Sequence, residues 1–189
     1  MSLKLITSPT ALPVSLAEAK LHLRVDSTDE DTLITAYIWA AAQACEQQTG
    51  RALTSQTWEL TLDAFPEAFK LARVPVASIA SLKYFDDSGA LLTLNANSIS
   101  LDNADDYGPA YAVPAYDTAW PTARAQINAV ALRYVAGWPD AASVPQSLKS
   151  WMLLQIGAMY ENRQAEGHMQ TFALGFADRL LDRYKLWSA

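Results

Sequence analysis

The sequence predicts an α+β protein: a small helical bundle of three to four helices with a β-rich insertion between the second and third helices. Three observations carry that expectation. Helical periodicity with start signals runs through the first fifty residues. Alternation with period two replaces it from residue 56, and helical periodicity returns after "GWPD" at 137–140. The expected division is 1–55 for the N-terminal part of the helical core and 56–139 for the β-rich lobe. Residues 140–189 then supply the C-terminal part of the core, with a terminal helix or arm.

The first helix is signalled by "PVSLAEAKLHLRVD" (13–26). Ser15 and Glu18 have the spacing of a capping box, in which serine oxygen and glutamate each satisfy an orphan backbone N–H. Leu16, Ala19 and Leu23 follow at helical spacing, with Lys20 and Arg24 turned outward. A helix of about three turns is marginal alone and needs a partner. The second helix supplies one. Ser27 and Glu30 repeat the capping signal, and Asp29, Glu30 and Asp31 set negative charge at the positive end of the helix dipole. Ile34, Tyr37, Ile38, Ala41 and Cys45 form a continuous stripe, and Gly50 ends the helix.

In the middle, "TWELTLDAF" (57–65) alternates with Trp58, Leu60 and Leu62 on one face. "ASIASLKYF" (77–85) alternates less cleanly through Ile79 and Leu82, and Gly89 in "DDSGA" suits a turn. "LLTL" and "SISL" read as short strands. "AQINAVALRYVAGW" (125–138) alternates through Ile127, Ala129, Ala131 and Tyr134, with Val130 and Leu132 opposite. Prolines at 66, 75, 109, 114, 121 and 139 limit where central strands can lie. Ser143, Gln146 and Pro145 then signal a third helix, "SLKSWMLLQIGAMYENR", apolar nearly all round as a central buried helix should be. In the last segment Phe176, Leu180, Leu181, Tyr184 and Trp187 share one helical face. Gly167 and Gly175 weaken the lead into it. An amphipathic helix on such a lead offers an interface arm for a neighbour, as against a stripe that folds back onto its own core.

Composition excludes several classes. The chain has 189 residues, is 51% hydrophobic and carries a net charge of −6, which fits a folded protein and disfavours one that grips nucleic acid by neutralising phosphates. No apolar run is long enough for a membrane helix, and "MSLKLITSPT" lacks the apolar stretch of a signal peptide. One cysteine, Cys45, excludes an intrachain disulfide, which fits synthesis in a reducing cytoplasm. Between Tyr84 and Ala123 there is no Lys, Arg or Glu but six aspartates: Asp86, Asp87, Asp102, Asp105, Asp106 and Asp117.

No constellation for catalysis, cofactor or metal stands out. His22 lies four residues after Glu18, a spacing met in ordinary surface pairs, and His168 sits in the weak segment after Gly167. Cys45 falls on the apolar stripe of the second helix with no charge partner to activate it. "LDNADDYG" (101–108) has the look of a calcium loop, but Tyr107 and Val113 stand where the EF-hand needs Gly and Glu. Phosphate-binding glycine loops and nucleophile elbows are missing. A small hydrolase is therefore the weakest of the possible functions.

The order "PVSLAEAKLHLRVDSTDEDTLITAYIWAAAQACEQQTGRAL" resembles the opening of the head–tail connector proteins of tailed bacteriophages and prophages. The matching residues run from Ser15 through Leu21, Arg24, Asp31, Ile34 and Glu46 to Thr49, Gly50 and Arg51, and the segment from Pro145 to Arg163 is similar too. The resemblance covers the helical parts, about half of the chain, and its residues are structural. It implies a non-enzymatic virion adaptor that forms a ring, commonly twelve-fold, beneath the portal. Such a ring extends the DNA channel and docks tail or stopper proteins. It would be found in the virion, and in the host cytoplasm during assembly, with DNA only passing through and no membrane partner. In that setting an acidic channel wall would repel the DNA backbone; the alternative reading of the aspartates is that they serve wet turns. Another head-completion or tail-completion protein, such as a stopper, is the competing function.

Overall fold

A computed structural model of the chain describes residues 1–163 and 176–186, and two compact units are present. One comprises residues 1–9 and 55–138; the other comprises 10–54 and 139–189. The strands are β1 (Ser2–Thr7), β2 (Gln56–Leu62), β3 (Phe69–Leu71), β4 (Val76–Phe85), β5 (Leu91–Thr93), β6 (Ile99–Asp102), β7 (Ala110–Pro114) and β8 (Val130–Ala136). The α-helices among the described residues are α1 (Leu16–Leu23), α2 (Asp31–Thr49) and α3 (Gln146–Glu161).

This corrects the expected fold class. The protein is a mixed α+β fold, with eight strands in two antiparallel sheets among the described residues, not a small helical bundle with a β insertion between its second and third helices. The deciding element is β1. It precedes both N-terminal helices and pairs with β2, so strands flank the helical hairpin on both sides in sequence. The larger sheet has the order β1-β2-β8-β4-β5 and the smaller β3-β7-β6.

In the larger sheet the register sets one face apolar. Leu60 and Leu82 both stand opposite Leu132, and all three are buried. Tyr134 lies on the same face and its hydroxyl donates to the Ala72 carbonyl, which follows β3. Tyr84, also on that face, meets Phe65 edge-on at 5.4 Å, and Phe65 meets Phe69 of β3 at 6.2 Å. The smaller sheet therefore covers the apolar face of the larger one, and the core of this unit lies between them. The uneven alternation of 77–85 has a local cause. The ladder shifts register between Ile79 and Ser81, and that bulge turns both Ile79 and Leu82 to the apolar side although they are three residues apart. β8 begins only at Val130. Tyr134 shares a face with Val130 and Leu132, contrary to the expected alternation, and Ile127 lies outside the strand, exposed.

The helical unit packs α2 against α3, with α1 against both. Ile34, Ile38 and Cys45 of α2 and Leu148, Trp151, Met152 and Ile156 of α3 are buried. The Ser15–Glu18 capping box forms as expected: Ser15 Oγ accepts from the Glu18 N–H at 3.1 Å, and the Ser15 N–H donates to Glu18 at 2.8 Å. The other two do not form. α2 starts at Asp31 without a side-chain cap because Glu30 is engaged elsewhere, by the Tyr160 hydroxyl and the Arg163 guanidinium. α3 starts at Gln146 after Pro145, and the Ser143 N–H is taken by Asp140 at 2.7 Å. The expected terminal helix is likewise replaced among the described residues by two 3-10 turns, Asp178–Leu180 and Asp182–Tyr184.

Glu18 also accepts from Lys149 Nζ at 3.1 Å, tying α1 to α3. Its carboxyl is held below the usual carboxylate range, chiefly by the Ser15 backbone N–H, and also by the Ser15 hydroxyl and Lys149. A folded-state value below the unfolded one of 4.5 gives stability that is present above that pH and lost as pH falls through the folded value. The expected outcome is an acid loss of stability below the ordinary glutamate range that is shallower in Glu18→Gln than in the parent chain, measured by urea unfolding monitored across pH 3–6.

Candidate functional site

The segment Glu46–Arg51 carries the "E..TGR" residues that end α2, and every one of them has a structural task. Glu46 Oε1 accepts from the Leu53 N–H at 2.8 Å, fixing the chain as it leaves the helix. Thr49 Oγ1 donates back to the Cys45 carbonyl at 2.7 Å and accepts from the Arg51 N–H at 3.3 Å. Gly50 adopts φ +74°, and a Cβ there would meet the Leu186 side chain at 3.4 Å. Both facts favour glycine: the left-handed conformation and the close approach. Arg51 is fully buried. Its Nε donates to the Tyr184 carbonyl at 2.6 Å, and its guanidinium carbon stands 5.8 Å from the Tyr184 ring centroid. The Leu186 N–H donates to the Thr49 carbonyl at 2.9 Å. The end of α2 is thus a socket for residues 184–186 of the same chain.

That geometry places the residues expected to form an interface arm. Phe176 is exposed, Leu180 and Tyr184 are half-buried, and Leu181 is fully buried; Trp187 lies outside the described residues. The four described residues do not share one helical face, because the segment turns in 3-10 steps around the buried Leu181. Asp178, just before, accepts from the Trp151 indole N–H at 3.3 Å. Arg51 is the functional residue whose role the sequence reading missed. The available signal was an arginine set directly after the helix-ending glycine, where a solvated side chain has no reason to be singled out.

The six aspartates lie on loops of the β-rich unit, with Asp102 at the end of β6, and do not converge. Asp86 and Asp87 begin the β4–β5 turn, where Asp86 Oδ1 accepts from Ser88 Oγ at 2.6 Å and the Ala90 N–H at 2.8 Å. These contacts, the Ser88 hydroxyl first, hold its carboxyl below the usual range. Asp102 accepts from the Ala104 N–H at 3.3 Å and Asp105 from the Tyr107 N–H at 2.8 Å. Asn103, in the same β6–β7 loop, donates to the Val76 carbonyl at 3.2 Å. That loop therefore sits at the start of β4, and Asp86 follows its end. At about 3.3 Å per residue the strand sets the two groups roughly 30 Å apart. Asp117 has φ 59° in the β7–β8 connection. Asp86, Asp102 and Asp105 serve turn geometry, and Arg124 lies over the first turn, where its guanidinium would be 2.5 Å from a Cβ at Gly89.

His22 is exposed beside Gly157 of α3, and His168 lies outside the described residues. Cys45 is buried, which pushes its thiol up to about 12, with Glu46 adding to the effect. No group of three or more His, Cys, Asp or Glu is placed to hold a metal ion among the described residues, and no described helix is long and apolar enough to cross a membrane.

Fold and socket together define a two-unit α+β protein whose motif residues anchor its own chain. Residues 13–86 match the family described as phage gp6-like head-tail connector protein. No curated protein matches. Among solved structures, a chain of the virion of native gene transfer agent (GTA) particle is similar over 100% of this chain and 97% of its own, at 23% identity and a TM-score of 0.79. A chain in the neck of empty GTA particle computed with C6 symmetry matches over the same shares at 24% identity and a TM-score of 0.81. One in the neck of native GTA particle computed with C12 symmetry matches at 25% identity and a TM-score of 0.72.

Removing the Arg51 guanidinium removes its charged hydrogen bond to the Tyr184 carbonyl, and a hydrogen bond of that kind contributes about 1.5–3 kcal/mol. Arg51→Met should therefore leave α2 and α3 folded by circular dichroism while trypsin cuts at Arg179 and Arg183 at least ten times faster than in the parent chain.

Proposed function

We propose that this chain is the head–tail connector of a phage-like particle, a structural adaptor that assembles as a twelve-fold ring in the virion neck. The ring sits beneath the portal, extends the DNA channel and presents a docking surface to tail or stopper proteins. The observation that carries this reading is the coincidence of two independent likenesses. The family match rests on residues 13–86, whereas the similarity to the neck structures extends over the whole chain, including both sheets. The C12 symmetry of the native neck supports twelve copies. A structural role also agrees with the task of the motif residues: Glu46, Thr49, Gly50 and Arg51 hold backbone and tail in place. Phe176, exposed where the other described residues of the expected tail set are not, is the tail residue we assign to docking.

The purified protein, mixed with its portal at rising concentration, should form closed rings of twelve protomer masses on the portal, measured by mass photometry and seen by electron microscopy. Phe176→Ala should weaken that capture several-fold without changing the fold. A protein that remains monomeric and binds neither portal nor tail components would remove the adaptor reading.

A further inference from the structure

The two end strands of the larger sheet are both uncovered. Every residue of β1 except Leu3 is exposed, as are all three of β5, and the exposed positions include Leu5, Ile6, Leu91 and Leu92. A sheet edge of this kind carries unpaired N–H and C=O groups, and monomeric proteins usually blunt such edges with proline or charge. Here β1 has no proline and one charged residue, Lys4, and β5 has neither.

We propose that β1 of one copy pairs with β5 of the next, so that the larger sheet continues from subunit to subunit. This rests on the ring reading above. Four features of the two edges fit each other. Each neighbouring pair in β1-β2-β8-β4-β5 is antiparallel, so β1 and β5 run in the same direction. In a ring of many copies each step is a small rotation, and the two strands therefore meet parallel. The lengths agree as well. The ladder shifts between Leu5 and Thr7, leaving Ser2–Leu5 as the regular run of β1 against the three residues of β5.

The faces also match. Leu3 stands opposite Leu60, Leu5 opposite Trp58 and Leu92 opposite Tyr84, so all three project to the apolar side of the sheet. Joining the edges in that sense carries the apolar stripe across the boundary, whereas a slip of one residue would set leucine against the polar face. Finally, parallel alignment brings Lys4, near the start of β1, to the end of β5 where Asp86 and Asp87 lie, a turn that stays net acidic with Arg124 above it. Two different edges joined head to tail make a heterologous contact, the kind that closes into rings; an edge that paired with its own kind would stop at a dimer.

Cysteine cross-linking of full-length protein separates these arrangements, because Cys45 is buried and its thiol is pushed up to about 12. The variants are Leu5→Cys, Leu92→Cys and the double substitution, each checked for native circular dichroism, then oxidised mildly under ring-forming conditions with portal. The expected result is a covalent ladder reaching the full ring for the double variant. Each single variant should give no self-cross-link, and their mixture should give dimers alone. A cross-linked dimer from Leu5→Cys by itself would show edges pairing with their own kind and overturn the proposal. Rings seen by mass photometry without any ladder would overturn it while leaving the adaptor reading intact. Absence of both rings and ladder would overturn the two together. Lys4→Glu offers a second readout that needs no new thiol: it should weaken ring formation several-fold at low salt, and unchanged assembly counts against the alignment.

Discussion

A guanidinium without solvent holds the helical unit closed. Burying a charge is costly unless its donors are met; for Arg51 the Tyr184 carbonyl takes the Nε–H, and the tyrosine ring lies beside the guanidinium. Those partners come from a segment more than a hundred residues away in sequence. The exit of α2 and the path of the tail are consequently one problem: Thr49, Gly50 and Arg51 must adopt their conformations for residues 184–186 to fit, and the tail must be present for Arg51 to be tolerated inside. Leu181, fully buried one turn earlier, adds apolar burial to the same closure.

Much of the helical unit was legible in the sequence because its signals are local. The Ser15–Glu18 box, the stripe from Ile34 to Cys45 and the left-handed Gly50 are each read within a few residues. The capping pairs at Ser27–Glu30 and Ser143–Gln146 look equally good on paper and fail for tertiary reasons. Glu30 is drawn to Tyr160 and Arg163 on α3, and Pro145 starts its helix two residues after Ser143. The tail fails in the same way. Its apolar residues have helical spacing, yet the burial of Leu181 and the bond to Arg51 select tighter turns over an α-helix.

The sheets were less legible because their pairings are not local. β1 is a short alternating run whose partner among the described residues begins at Gln56, and no feature of "SLKLIT" itself names that partner. β3 and β7 are three and five residues long, too short for periodicity to stand out. The bulge in β4 hides a true strand behind an irregular pattern. Of the candidate functional residues, the aspartates were easy to see as a group and misleading as one. Composition counts them together, whereas β4 sets two subsets at its opposite ends, where three of them shape turns.

The position of β1 has a kinetic consequence. Each unit is interrupted by the other along the chain: residues 10–54 separate β1 from β2, and 55–138 separate α2 from α3. Neither unit can be completed by a contiguous stretch of polypeptide emerging from a ribosome. The larger sheet waits for β8 at 130–136, and the helical core waits for α3. Closing such long loops before their contacts form costs entropy, which slows folding relative to a protein of local contacts. Until β8 arrives, β1 and β2 lack the central strand of their sheet. During that interval the unpaired strand edges are open to pairing with other chains, a hazard that ends when β8 takes its place in the sheet.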